Sequence, residues 1–170
     1  MLIGLTIALF KINKRIDRKI NKQINKEKNF IGNFHFCNEL LNDKKIKIDS
    51  IVALDLFTDG YIEKYEIVDI KLKDLKFKTD EYINCKMNYI NGDKTKYIKT
   101  QTNNRFGHSE ERFDNLINSV NKQGYNYKIS PIIVDNNNQI IDGYHRTSIL
   151  LNKYGKEHNI KVLKIYYVNN

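Results

Sequence analysis

Between Pro131 and Leu151 the chain changes its apolar periodicity once, and that change constrains what it can fold into. Pro131-Ile132-Ile133-Val134 and Ile140-Ile141 read as extended apolar runs, whereas Thr147-Ser148-Ile149-Leu150-Leu151 reads as a helix. Asp142-Gly143-Tyr144-His145-Arg146 joins the two. A glycine after a strand lets the backbone turn tightly, and the following helix directs its unpaired N–H groups and positive dipole end into that turn. Such a turn suits an anion. Arg146 adds a planar fork of donors matched to phosphate or carboxylate, and His145 adds a donor or a proton carrier near neutral pH. Asp142 has two readings: a turn former that bonds its own backbone, or a carboxylate serving a site.

A chain of 170 residues with 41% apolar and 11% aromatic content is long enough to bury one core and argues against disorder. Cys37 and Cys85 lack ligand spacing and read as thiols in a reducing compartment. His35, His108, His145 and His158 have no Cys or carboxylate neighbours at metal-like intervals, so no metal site is expected.

The net charge of +9 is unevenly placed. Lys11 to Lys28 holds eight basic residues against Asp17 and Glu27, a net +6 that leaves only +3 for everything else. A near-balanced remainder is not the footprint of a duplex-binding surface, so sequence-specific nucleic-acid binding is not expected. Within the arm, Ile12, Ile16, Ile20 and Ile24 recur every four residues, which on a helix makes one apolar stripe backed by a basic face. The apolar Leu2 to Phe10 supplies only about half the helix length a hydrocarbon core requires, and it lacks the flanks of a secretory signal. Residues 1–29 are therefore read as a basic amphipathic helix separate from a domain at 30–170. Three partners stay open for it: the domain or a second copy of the chain, an anionic lipid surface, and nucleic acid. The expected location is cytoplasmic, at the inner membrane surface if the lipid reading holds.

Elsewhere the patterns are mixed. Residues 51–57 read as a buried strand, with Asp59-Gly60 turning into a second strand at 61–72. Asn91-Gly92 predicts a further hairpin between Met87 to Ile90 and Lys96 to Lys99. Strands are also expected at 131–134, 139–141 and 161–168, and helices at 109–122, where Ser109 is a sound N-cap, and at 146–158, with Gly155 ending or interrupting the latter. Asn136-Asn137-Asn138 supplies the turn between the strands around the loop. The expected fold is α+β: a small, mixed, partly curled sheet with packed helices, plus the basic N-terminal helix.

The ordered series of Phe113 to Gly124, Pro131-Ile132-Ile133-Val134, Asp142-Gly143-Tyr144-His145-Arg146, helix and terminal strand resembles the ParB/sulfiredoxin superfamily. Ile67 to Leu75 looks like that family's first strand, so the resemblance covers roughly residues 66–168, broken by an insertion at 79–107 rich in Tyr and Asn. Insertions of this length are lids, binding loops or packed hairpins, and Tyr82, Tyr89 and Tyr97 need a surface to rest on. Gly92-Asp93, Tyr97, His108-Ser109 and Asp142 to Arg146 together resemble a smaller set of ParB-like proteins found with surface-polysaccharide genes, which would bring His108 to the site.

The resemblance implies a phosphate-cradling turn in which Gly143, Tyr144, His145, Arg146 and Thr147 bind a nucleotide. Sulfiredoxin-like chemistry needs a cysteine where this chain has Tyr144, and ParB-like DNA reading needs a further module after Val168, where only Asn169-Asn170 follow. The turn looks most like that of the family's free-serine kinases. That likeness implies a small-molecule kinase using ATP, ADP or CTP with Mg²⁺ on a small hydroxylated substrate. Asp142 and His145 would be catalytic, with Glu66 or Asp69 supplying a second carboxylate. The alternative is a non-catalytic nucleotide- or phosphate-binding module, and a lesser one is nucleic-acid binding or nuclease activity.

Overall fold

A computed structural model of the chain describes residues 62–101 and 110–168, with positions 39, 40, 42, 43, 46–48, 52 and 56 before them. The basic arm at 1–29, His108 and the Asp59-Gly60 turn lie outside the described residues.

Strand β1 (Ile62–Lys71) runs through a 3₁₀ turn (Leu72–Asp74) into three helices, α1 (Asp80–Ile90), α2 (Thr95–Gln101) and α3 (Glu110–Gln123). Then come β2 (Ile133–Val134), β3 (Ile140–Asp142), α4 (Tyr144–Tyr154) and β4 (Asn159–Tyr167). The strands form one mixed sheet in the order β1-β4-β2-β3, with β1 antiparallel to β4, β4 parallel to β2, and β2 antiparallel to β3. The α+β architecture is as expected.

Alternation along β4 explains how one sheet serves two cores. Ile160 and Val162 pack with Leu72, Tyr89, Phe113 and Leu150 on the helix-bearing face. Leu163 and Ile165, of opposite parity, pack with Ile133, Ile62, Leu40 and Leu56 on the other. The strand is apolar because both faces are covered.

The β2–β3 connection follows from its residues. Asp135 accepts the amides of Asn137 and Gln139, each at 2.8 Å, while Asn138 takes φ 63°. Asn136 then ties the hairpin to the far end of β4 by accepting from Tyr167 N at 2.6 Å and donating to Tyr167 O at 2.9 Å.

Three expectations are corrected. The described positions of 51–57, Val52 and Leu56, are helical, and their spacing of four residues puts both toward the second core. Asn91-Gly92 joins two helices rather than two strands. Thr79 caps α1 by accepting from Tyr82 N, Asp80 and Glu81 suit the first turn, and Tyr82, Cys85 and Tyr89 fall on one helical face, so Met87 to Ile90 is the last turn of a helix. Gly92, at φ 103°, stops it by donating to Tyr89 O at 3.1 Å. Finally, α4 begins at Tyr144 and ends at Tyr154 before Gly155, which lets β4 start at Asn159. Among the described residues no helix is long and apolar enough to cross a membrane.

Candidate functional site

The strand-to-helix turn forms where the sequence places it, and its glycine is required by both conformation and space. Gly143 is the N-cap of α4 at φ 100°, and a Cβ there would lie 2.9 Å from Ile132 Cγ1 and 3.0 Å from Ile132 Cα. Because glycine has no side chain, no side-chain cap covers the helix start. The first intrahelical bond runs from Thr147 N to Gly143 O at 2.9 Å, so the amides of residues 144–146 have no acceptor within the helix.

The residues expected at the site are brought together there but point in different directions. Arg146 Nη1 donates to Pro131 O at 3.1 Å and to Asp142 Oδ2 at 3.4 Å, which fixes the guanidinium beside the turn. Its other nitrogens have no partner among the described residues, and 21% of the side chain stays exposed, as does 38% of Asp142. Behind Arg146 lies Tyr125, whose hydroxyl accepts from Ile132 N at 2.8 Å and donates to Lys161 O at 2.9 Å. Burial pushes the Tyr125 phenol up to about 12, so it stays a neutral bridge between Ile132, just before β2, and β4.

His145 turns the other way. Its Nε2 lies 2.9 Å from the Tyr97 hydroxyl, and its ring meets Phe113 and Tyr97 edge-on at 4.7 Å and 5.7 Å. Burial raises the Tyr97 phenol well above its ordinary range, so this hydroxyl keeps its proton at physiological pH. Tyr144 packs edge-on against Tyr82 at 4.8 Å and donates to Ile140 O at 2.6 Å; burial, with the neighbouring Tyr82, lifts its phenol to about 12. The tyrosines of the insertion therefore cover one flank of the turn from α1 and α2.

Two expected residues are not presented there. Thr147 is fully buried, and its hydroxyl donates to Gly143 O at 3.0 Å, so only its position belongs to the turn. Glu66 lies on β1, with β4 and β2 between it and β3. It accepts from Lys64 Nζ at 2.8 Å and Tyr166 OH at 3.2 Å, and these bonds, the lysine's first, hold its carboxyl below its usual range. Asp69 pairs with Lys161 at 2.8 Å on the same edge strand. Neither carboxylate reaches the turn. Among the described residues no cluster of His, Cys, Asp and Glu could hold a metal ion by itself.

One residue beside the site went unread in the sequence. Lys86 has no exposed surface, sits in α1 against Tyr82, and has its ammonium pulled down to about 8 by burial. Its signal was a charge on the apolar face of a helix, visible only once residues 80–90 are recognised as helical.

No protein-family model and no curated protein matches the chain. Among solved structures it is similar to a crystal form of a Pnob8-like ParB-N domain, at 24% identity and a TM-score of 0.37 over 61% of this chain. It is also similar to a pNOB8-like ParB N-domain, at 23% identity and a TM-score of 0.38 over 62%. The chain spans 30% and 29% of the length of those two structures.

Proposed function

We propose that the chain binds the phosphate end of a small phosphorylated molecule at the turn from β3 to α4, with a nucleotide such as ATP, ADP or CTP and its Mg²⁺ as the favoured ligand. One observation carries this: an 11-residue helix starts on a left-handed glycine with no side-chain cap, beside a guanidinium that is held by Pro131 O and Asp142 and keeps 21% of its side chain exposed. Held amides and a held cation are already organised for phosphate oxygens, so little ordering cost remains for the ligand to meet.

A binding module is the better supported form of this reading. Phosphoryl transfer needs a carboxylate on the acceptor hydroxyl and commonly a second one for the metal. Here only Asp142 stands at the turn, while Glu66 and Asp69 are paired elsewhere and His145 is engaged with Tyr97. The exposed Asp142 does favour a second reading, a small-molecule kinase, for which surface-polysaccharide metabolism is one setting.

The test is incubation with ATP, ADP and CTP plus Mg²⁺ and a panel of amino acids and sugars, followed by phosphorus spectra and calorimetry. Saturable binding without turnover is the expected result. Phosphorylated product would establish the kinase instead, and absence of binding by every nucleotide and by inorganic phosphate would remove the anion site.

A further inference from the structure

Lys86 is a buried cation with no counter-charge among the described residues. Its side chain is fully buried, and its ammonium donates to Tyr82 O at 3.2 Å, a carbonyl it shares with the Cys85 thiol. Aromatic faces supply the rest of its surroundings, with Tyr82 at 3.5 Å and Tyr97 at 6.0 Å from the ring centroids. No carboxylate pairs with it among the described residues. Lys94 shows the contrast: it lies 4.7 Å from the Tyr89 ring, is 42% exposed, and has both Asp114 and Glu110 within salt-bridge distance. Among the described residues the wet lysine thus has carboxylate partners and the dry one has none, although the dry one has far more need of an anion.

The position of this ammonium matters as much as its isolation. Helices α1 and α4 run side by side in the same direction, since Tyr82 meets Tyr144 at one end and Asn152 donates to Asn91 at the other. Helical side chains lean toward their own N-terminus. Lys86 follows that lean back to the Tyr82 carbonyl, level with the first residue of α4. Both rings around it also touch the turn, Tyr82 through Tyr144 and Tyr97 through His145. The Tyr82 ring that the ammonium rests on is itself 36% exposed, is held by its edge-on contact with Tyr144, and makes no hydrogen bond through its hydroxyl among the described residues.

We propose that Lys86 is the second cation of the anion site, uncovered by rotation of Tyr82, and that the ligand is therefore one carrying at least two linked phosphates rather than a single one. Resting on the anion-binding reading of the turn, this names the ligand class for that site. Arg146 and the α4 amides hold one phosphate on the β2 side, and Lys86 meets the next on the α1 side. The buried ammonium gains in the complex a charge partner that no described residue supplies.

Titration calorimetry of the full chain with orthophosphate, pyrophosphate and ADP tests this. Wild type should prefer pyrophosphate and ADP to orthophosphate. Lys86→Met should lose roughly ten- to hundredfold in affinity for pyrophosphate and ADP, the range of a charge-assisted bond, while orthophosphate binding changes little. Arg146→Ala should weaken all three. If Lys86→Met binds pyrophosphate like wild type while Arg146→Ala does not, the lysine is structural and the anion site survives without it. If wild type binds none of the probes, the reading of the turn fails and this inference with it. Should Lys86→Met not fold, the Lys86 Cε resonance of wild type decides. Its titration midpoint should rise by about one unit or more when pyrophosphate is added, because an adjacent anion favours the charged amine. An unmoved midpoint overturns the proposal.

Discussion

The two flanks of the first turn of α4 differ in what surrounds them. On one, the half-buried His145 rests against Tyr97 and Phe113, which are 1% and 2% exposed. On the other, Arg146 and Asp142 hold each other loosely at 3.4 Å and keep solvent contact. Adjacent residues of one motif, all of them half-buried, thus face different partners: the histidine meets a buried aromatic wall, and the arginine meets a carbonyl and a carboxylate that stay in contact with solvent. Motif membership alone therefore does not assign a role, because a helix rotates successive side chains by about 100° and sends neighbours to different environments.

The sharpest way to break this contrast is Phe113→Ala. It removes a ring packed against Tyr89, Tyr97 and His145 at 4.7–5.0 Å, and should cost about 3–5 kcal/mol of stability, read by denaturant unfolding. A loss under about 1 kcal/mol would mean the aromatic flank is not core. Arg146→Ala should do the reverse. Phosphate or nucleotide affinity should fall by roughly 1.5–3 kcal/mol while the melting temperature changes far less, since the side chain contributes little packing and one main bond to Pro131. Equal affinity in a folded variant would take Arg146 out of the site.

Lys86 supplies a pH-dependent test. Its folded pKa of about 8 lies below the ordinary 10.5, so between those values the unfolded chain binds more protons and stability must rise with pH. Below pH 8 both states carry the proton and the penalty is constant. The raised phenols of Tyr97, Tyr125 and Tyr144 act oppositely above pH 10, so the clean window is pH 8 to 10. Stability of wild type relative to Lys86→Met should climb by roughly 2 kcal/mol across it; a flat difference would show that the amine is not desolvated. The smallest effect belongs to Tyr97→Phe, which keeps the ring and deletes the hydroxyl facing His145. About 1 kcal/mol should be lost, with ligand affinity nearly intact. A large loss of affinity would instead tie the histidine flank directly to the ligand.

Local features were legible in the sequence. Gly143 between a strand and a helix, the Asn136 to Asn138 turn and the last strand are each decided within a few residues, and each appears where it was expected. The insertion was misread because Met87 to Ile90 and Lys96 to Lys99 are too short to show whether their period is two or four, and Asn-Gly ends helices as readily as it turns hairpins. Spacing over the longer window of Tyr82, Cys85 and Tyr89 was the better guide. Glu66 was misplaced for a different reason. Strand order is a long-range property, and nothing within β1 says that two other strands will separate it from the turn.

The central place of β4 sets the order of events when the chain is made. It is the last strand among the described residues, yet it lies between β1 and β2, and nearly every residue of β1 pairs with it across roughly 90 to 105 positions of chain. A ribosome that has not yet released residues 159–167 holds a β1 with no partner in this sheet and a β2–β3 hairpin bound to nothing on its open side. Helices α1 to α4 can form early, but the two halves of the sheet can join only afterwards, in one late step that closes the largest loop in the domain. Until that step, the long apolar-bearing edge of β1 is in need of protection from other chains.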